Sequence, residues 1–324
     1  MISVSQAGMG GSVIVLLLLL ASTASAQSYP TRSVRIVVPF APGGGLDTQA
    51  RLLSKKLQES MGQVFVIDNR PGATSMIGTE IVVRSRADGY TLLFGGPGLA
   101  IAVTLNKNLA FDLQRDLAPV VQVSSAAQLL VVHPSVPAKT VQEFVALAKR
   151  QAGKMNASSA GTGSNNHLSL EMLKQRAGIN MTHIPYKGSG PAVIALMSGD
   201  VDFAFAGVFS TLPHIRSRRI RVLAVTTPKP LPAVPGVPTL TSLYPGFEST
   251  NWYTIFAPAG TPAAITAKIS SEIAAALKSP EIREFLLKEG ADPVGSTPAE
   301  TASFFKREVE RYAAVIQAAN IKIE

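Results

Sequence analysis

A β-strand that ends in glycines and turns straight into a helix fits few folds, and this chain contains that junction twice. Pro42-Gly43-Gly44-Gly45 follows the β-branched run Val34–Val38, and Gly161-Thr162-Gly163 follows the short apolar run 155–157. Each opens an amphipathic helical pattern. In a parallel α/β unit such a junction leaves unpaired backbone N–H groups at the positive end of a helix, a ready site for an anion. Two of them, in two similar halves with nothing catalytic beside them, predict a clamp that grips both ends of a small anion.

The strand and helix signals alternate along the chain. After Val34–Val38, the residues Leu46, Ala50, Leu53 and Leu57 form one apolar stripe that stops at Gly62, and Asp47 lies in the first turn, where a carboxylate caps free N–H groups. A strand over 63–67, a helix over 75–84 and a strand over 90–94 complete the first unit. The second unit starts near residue 118, with strands over 120–123 and 129–132. A Thr140-Val141-Gln142-Glu143 capping box then opens a helix that ends at Gly153. The second glycine turn leads into a helix over 166–177, a strand over 181–184, a helix over 191–198 stopped by Gly199, and strands over 201–205 and 221–226. A proline-rich stretch, 228–238, reads as a linker returning to the first lobe. A strand over 252–257 and helices over 262–277, 280–289 and 298–319 finish the chain.

Strands separated by single helices argue for mostly parallel sheets flanked by helices. The length after any leader, about 300 residues, exceeds what one core holds, so two lobes are expected. Residues 27–117 and 245–324 are assigned to lobe 1 and 118–244 to lobe 2, with hinge crossings near 117–124 and 229–257. The expected ligand site is the cleft between the lobes, beyond the carboxyl ends of the strands.

The first residues read as a leader rather than part of the fold. Residues 13–20 are unbroken apolar, and Ala24-Ser25-Ala26 supplies the small-x-small pattern of a signal-peptidase site. That run is shorter than the roughly 20 apolar residues a membrane span needs. No Lys or Arg occurs in residues 1–12, which departs from the usual leader and leaves Met9 as an alternative start. Export with cleavage after Ala26 is expected, giving a soluble protein. The chain has no cysteine, which agrees with an oxidising compartment and removes thiol nucleophiles and cysteine metal sites. Net charge is +9, but the basic residues are scattered apart from Arg216-Ser217-Arg218-Arg219-Ile220-Arg221. No aromatic residues interleave with that cluster, so it reads as a solvated helix end and not a nucleic-acid surface.

In order along the chain, Tyr29-Pro30, Val38-Pro39-Phe40-Ala41-Pro42-Gly43-Gly44 with Asp47 and Ala50-Arg51, Asn69-Arg70-Pro71-Gly72-Ala73 and Asp88-Gly89-Tyr90-Thr91-Leu92-Leu93 form a specific joint pattern. Gly161-Thr162-Gly163-Ser164 with His167-Leu168, His183-Ile184-Pro185-Tyr186-Lys187-Gly188, Leu223-Ala224-Val225-Thr226 and Ala257-Pro258-Ala259-Gly260-Thr261-Pro262 continue it. The pattern resembles the Bug-type substrate-binding proteins of tripartite tricarboxylate transporters. The resemblance implies a two-lobed, type II-like periplasmic binding protein that acts as a monomer. It also implies a small mono- or dicarboxylate ligand and partner subunits in the membrane, either a transporter or a sensor ectodomain. Carried over by position, the first ligand loop is 40–47 (Phe40, Pro42, Gly43, Gly44, Gly45, Asp47) and the second is 162–166 (Thr162, Gly163, Ser164, Asn165). Ser75 and the Gly95-Gly96-Pro97 turn line the first lobe's wall, and Tyr186 and Ala206-Gly207 line the second. Ala206 stands where many members carry an acidic or amide residue, which argues against a ligand with an ammonium group.

Asp47 reads as a structural cap more than a contact, while Thr162, Ser164 and Asn165 offer donors at the second helix start. His167 lies in the first turn of that helix, facing the cleft or packing behind it. The other histidines are isolated and no H-E-x-x-H occurs, so neither metal nor cofactor is expected. Trp252-Tyr253 reads as hinge packing rather than a stacking platform. The rival reading, an exported α/β hydrolase or transferase using the same cleft, lacks a G-x-S-x-G elbow and a Ser/His/Asp set at strand ends.

Overall fold

The computed structural model describes residues 29–318 and residue 321. The leader reading for residues 1–26 therefore lies outside the described residues. Residues from Arg32 onward form one compact unit, organised around a sheet in two halves.

The first half begins with β1 (Val34–Val38), α1 (Gly45–Met61), β2 (Phe65–Asn69), α2 (Met76–Val83), β3 (Thr91–Gly95) and α3 (Pro97–Leu105). Helix α1 buries Leu46, Ala50, Leu53 and Leu57, the stripe read from the sequence, and stops where Gly62 adopts φ 69°. Each such leucine contributes about 1.5–3 kcal/mol by leaving water. β1 pairs in parallel with both β2 and β3.

A single long strand, β4 (Leu117–Val132), leads into α4 (Val141–Gln151), β5 (Asn156–Ser159), α5 (Asn165–Ala177), β6 (Thr182–Pro185), α6 (Ser189–Ser198), β7 (Phe203–Gly207), α7 (Val208–Arg216) and β8 (Arg221–Val225). β5 pairs in parallel with β6 and β7. The Thr140 hydroxyl caps α4 by accepting from the Glu143 N–H at 3.1 Å. The Glu143 carboxylate reaches past the cap to accept from the Lys139 N–H at 2.6 Å. The chain returns through β9 (Thr250–Pro258), α8 (Ala263–Lys278), α9 (Pro280–Lys288), β10 (Ala291–Pro293) and α10 (Pro298–Ala318).

The strand order is β2-β1-β3-β9-β4-β7-β5-β6, with β8 and β10 also on β4. Parallel pairing holds within each glycine-bearing trio, whereas β9, β7, β8 and β10 run antiparallel to β4. Two separate strands were expected across 120–132, because small and polar residues from Ser124 to Gln128 break the apolar run. Partners on both sides carry β4 through them: Leu117 to Ala127 pair with β9, and Gln128 to Val132 pair with β7. Helix α3 and strand β10 have no counterpart in the sequence reading, and of α7 only the solvated end at Arg216 has one.

Each half has its own core. One gathers Leu130, Phe144, Phe203, Phe205 and Phe247; the other gathers Leu93, Leu99, Trp252, Phe256, Phe305 and Tyr312. Leu168 of α5 packs into the second of these cores, so that helix bridges the halves.

Candidate functional site

Both glycine junctions sit at the carboxyl ends of parallel strands, and the first junction (Gly44, Gly45) and the residues flanking the second (Ala160, Ser164) line one cavity of about 80 Å³. One water needs only about 10–15 Å³ measured this way, so the space admits several waters or a small solute. Four helices of eight or more residues aim their N-termini at it: α1 through Gly44-Gly45-Leu46, α3 through Gly96-Pro97-Gly98, α5 through Ser164-Asn165-Asn166, and α6 through Ser189. Three of these begin at a glycine (Gly44, Gly96, Gly188) that supplies no side-chain cap. Their leading amides are thus available to an anion, in the field of the helix dipoles.

Asp47 explains how α1 stays uncapped. Its carboxylate accepts from the Gly43 N–H at 3.1 Å, the Asn69 amide at 3.0 Å and the Arg51 guanidinium at 3.0 Å. Burial alone would raise its pKa, but these donors and the Arg51 charge outweigh burial and hold it below the usual carboxylate range. Asp47 lines the cavity, yet its oxygens are spent bracing the loop. Among the described residues no Lys or Arg lines the wall.

On the first lobe's side the chain enters α2 through three consecutive non-glycine residues with positive φ: Ala73 at 44°, Thr74 at 48° and Ser75 at 80°. For L-residues this region costs about 1–2 kcal/mol each. The conformation delivers the Ser75 hydroxyl to the cavity, where it is buried and has no protein partner. It lies across from α3, since a Cβ placed on Gly98 would be 3.5 Å from Ser75 Oγ. Strain of this kind persists where the surrounding structure enforces it, most often at ligand sites.

The two halves also touch directly. Thr74 Oγ1 donates to the Thr162 carbonyl at 2.9 Å, and a Cβ on Gly190 would lie 3.8 Å from the Pro42 carbonyl oxygen. These contacts join the two halves beside the cavity.

Residues 49–321 match the family described as the tripartite tricarboxylate transporter family receptor. The chain belongs to that family. Protein BugT of Bordetella pertussis is 36% identical to this receptor over 308 residues, covering 94% of each chain. The solved structure of R. palustris Rpa4515 with adipate superposes at TM-score 0.87 and 34% identity, covering 91% of this chain and 99% of that one. MatC (Rpa3494) from Rhodopseudomonas palustris, solved with bound malate, gives TM-score 0.84 and 32% identity over 89% of this receptor and 100% of its own length. Solved relatives of the receptor are periplasmic binding proteins, and the two-lobed α/β architecture is theirs.

Of the residues singled out from the sequence, Phe40, Gly44, Gly45, Asp47, Ser75, Gly96, Ser164 and Asn165 stand on the cavity wall. The others do not, for identifiable reasons. Pro42 and Gly43 form the exposed outside of the first turn, and the Gly43 N–H is taken by Asp47. Gly95 packs under Leu99, which lies 2.4 Å from where its Cβ would be. The Thr162 carbonyl is occupied by Thr74, and the Gly163 N–H donates to His167 Nδ1 at 3.1 Å. Tyr186 continues the β6 edge, its N–H donating to the Ser159 carbonyl. Ala206 is buried in β7, and Gly207 lies beneath Asn251.

His167 packs behind the second loop instead of facing the cavity. Its ring stacks on His183 at 4.0 Å between centroids, and the Ser159 hydroxyl is 2.6 Å from His183 Nε2. Burial, with Lys174 nearby, lowers the His167 pKa to about 4, and burial with the neighbouring His167 does the same for His183. Both rings are neutral near pH 7. Among the described residues no group of three metal-ligating side chains occurs.

Sequence reasoning missed Ser189 and Asn251, which line the cavity, and gave Trp252-Tyr253 a packing role although both reach the wall. Trp252 does both, since its Nε1 donates to the buried Glu308 carboxylate at 2.7 Å. The Tyr253 hydroxyl fills the space beside Gly45, where a Cβ would approach it to 2.3 Å. The available signal was the polar run Ser249-Thr250-Asn251 placed just before an apolar strand.

Proposed function

We propose that this receptor captures a small mono- or dicarboxylate between its lobes in the periplasm and presents it to the membrane subunits of a tripartite tricarboxylate transporter. Export by the leader, with cleavage after Ala26, and action as a monomer are part of this reading. One observation carries it: uncapped helix N-termini and the unpartnered Ser75 hydroxyl converge on a cavity whose wall holds no cationic side chain. Oriented neutral donors replace the hydration of an anion, and closure strengthens them by excluding water. The adipate and malate in two related structures support the ligand class.

The lobes are taken to divide where β4 exchanges β9 for β7, at Ala127 and Gln128. A binding role, with no reaction, accounts for the wall: the Ser75 hydroxyl faces the start of α3, and among the described residues no histidine or lysine lines the cavity.

A thermal-shift screen tests this. At a ligand concentration of 100 times Kd, mass action adds about 2.7 kcal/mol to the native state. At about 2 °C per kcal/mol for a chain of this size, the melting temperature rises by about 5 °C. Mono- and dicarboxylates are expected to produce that shift. Strong shifts from sugars or amino acids, with none from the acids, overturn the proposal.

A further inference from the structure

A buried hydrogen-bond relay runs from the C-terminal helix to the cavity and fixes the orientation of one side chain on its wall. Asn165 Nδ2 donates to the Thr250 carbonyl at 2.8 Å. A backbone carbonyl only accepts, so this bond decides which way the Asn165 amide faces. Its Oδ1 then accepts from the Tyr312 hydroxyl at 3.0 Å and the Ser249 hydroxyl at 3.1 Å. The second Asn165 Nδ2 hydrogen goes to Asn251 at 3.0 Å, which must therefore offer its Oδ1. Asn251 Nδ2 is left pointing away from Asn165, with no hydrogen bond to any described residue.

Asn251 is half-buried and lines the cavity. Its Nδ2 lies 3.0 Å from where a Cβ of Gly207 would be, so the bare Gly207 backbone makes room for it. Ala206 and Gly207 lie behind that wall, and the amide at this point comes from β9.

We propose that Asn251 is a ligand-contacting, specificity-determining donor, and that Tyr312 is a positioning residue that aims it through Asn165. This rests on the reading of the cavity as a carboxylate site. A fixed N–H donor donates to a carboxylate or carbonyl oxygen and repels an ammonium group, which brings only hydrogens of its own. Tyr312 never touches the ligand; with Ser249 it holds Asn165, and Asn165 holds Asn251.

Calorimetric titration of the full chain with malate and with adipate tests the relay. A hydrogen bond to a charged group is worth about tenfold to a hundredfold in affinity. Asn251→Ala is expected to weaken binding of whichever acid binds by about tenfold, and Asn251→Asp by about a hundredfold through added like-charge repulsion. Tyr312→Phe leaves Ser249 on Asn165, so it costs about threefold in the parent background. In the Asn251→Ala background its effect falls below twofold, because nothing remains to be aimed. A merely structural Tyr312 costs the same in both backgrounds, and that result overturns the relay. Asn251→Ala affinity within twofold of the parent overturns the donor role while leaving the carboxylate reading intact. A parent protein that ignores both acids overturns the two together.

Discussion

Replacing Ser75 by glycine sets stability against binding at a single position. Ser75 holds φ 80°, a region that costs an L-residue about 1–2 kcal/mol. Glycine enters it freely but gives up about 0.5–1 kcal/mol in unfolded-chain entropy. The net gain for the unliganded protein is about 0.5–1 kcal/mol, or roughly 1–2 °C in melting temperature. The same change deletes a buried hydroxyl that no protein group satisfies. If that hydroxyl donates to a carboxylate, its loss costs about 1.5–3 kcal/mol of binding, about tenfold to a hundredfold in Kd. Differential scanning fluorimetry on the unliganded protein reads the first effect, and calorimetry with the best acid from the screen reads the second. Opposite signs are expected. A variant that melts lower than the parent, or binds as tightly, refutes the argument that strain is maintained here for the ligand.

Other perturbations have equally definite outcomes. A Cβ added at Gly44 meets no atom within 4 Å, so a Gly44→Val protein should fold while its side chain occupies the ligand's approach to the α1 amides; unchanged calorimetric affinity refutes the clamp. Trp252 is the chain's single tryptophan and lines the cavity, so a carboxylate that binds there should change intrinsic fluorescence, and a flat titration beside a calorimetric signal places the ligand elsewhere. Thr74→Val removes the bond to Thr162 and should raise Kd about two- to tenfold, read mainly as faster dissociation. His167 and His183 keep pKa values of about 4 against an ordinary 6.5. The unfolded chain therefore takes up protons first, and their contribution is whole above about pH 6.5 and lost as pH falls towards 4. A His167→Gln/His183→Gln double variant should show a shallower loss of melting temperature across that interval.

The sequence disclosed what depends on backbone and local pattern. Glycine runs at strand ends marked the two loops because a missing side chain lets the backbone turn sharply and leaves its amides uncovered, and the Leu46 to Leu57 stripe marked α1 because one face alone is buried. Helix α3 and all of α7 but its solvated end stayed hidden for the opposite reason. α3 (Pro97–Leu105) is apolar on nearly every face and has no period to detect, since Leu99, Ala100, Ile101 and Ala102 are all buried. α7 starts directly from the glycine that ends β7. Asn251 was invisible because its orientation is set by Asn165 and Tyr312, far away in the chain. Asp47 was legible as structural, but its target was not: its carboxylate braces the Gly43 N–H and leaves the helix end free.

The sixteen residues of β4 are bonded along one stretch to β9 and along the next to β7 and β8, without a break between. A spine shared in this way cannot act as a free pivot. Opening must be spread as flexure along it, taken up where the register slips, between Pro119 and Val121, between Gln122 and Ser124, and between Leu130 and Val131. Bulges of this kind already concentrate twist. Any change in the angle between the halves would bend this strand like a leaf spring, with the strain gathered at the three register slips.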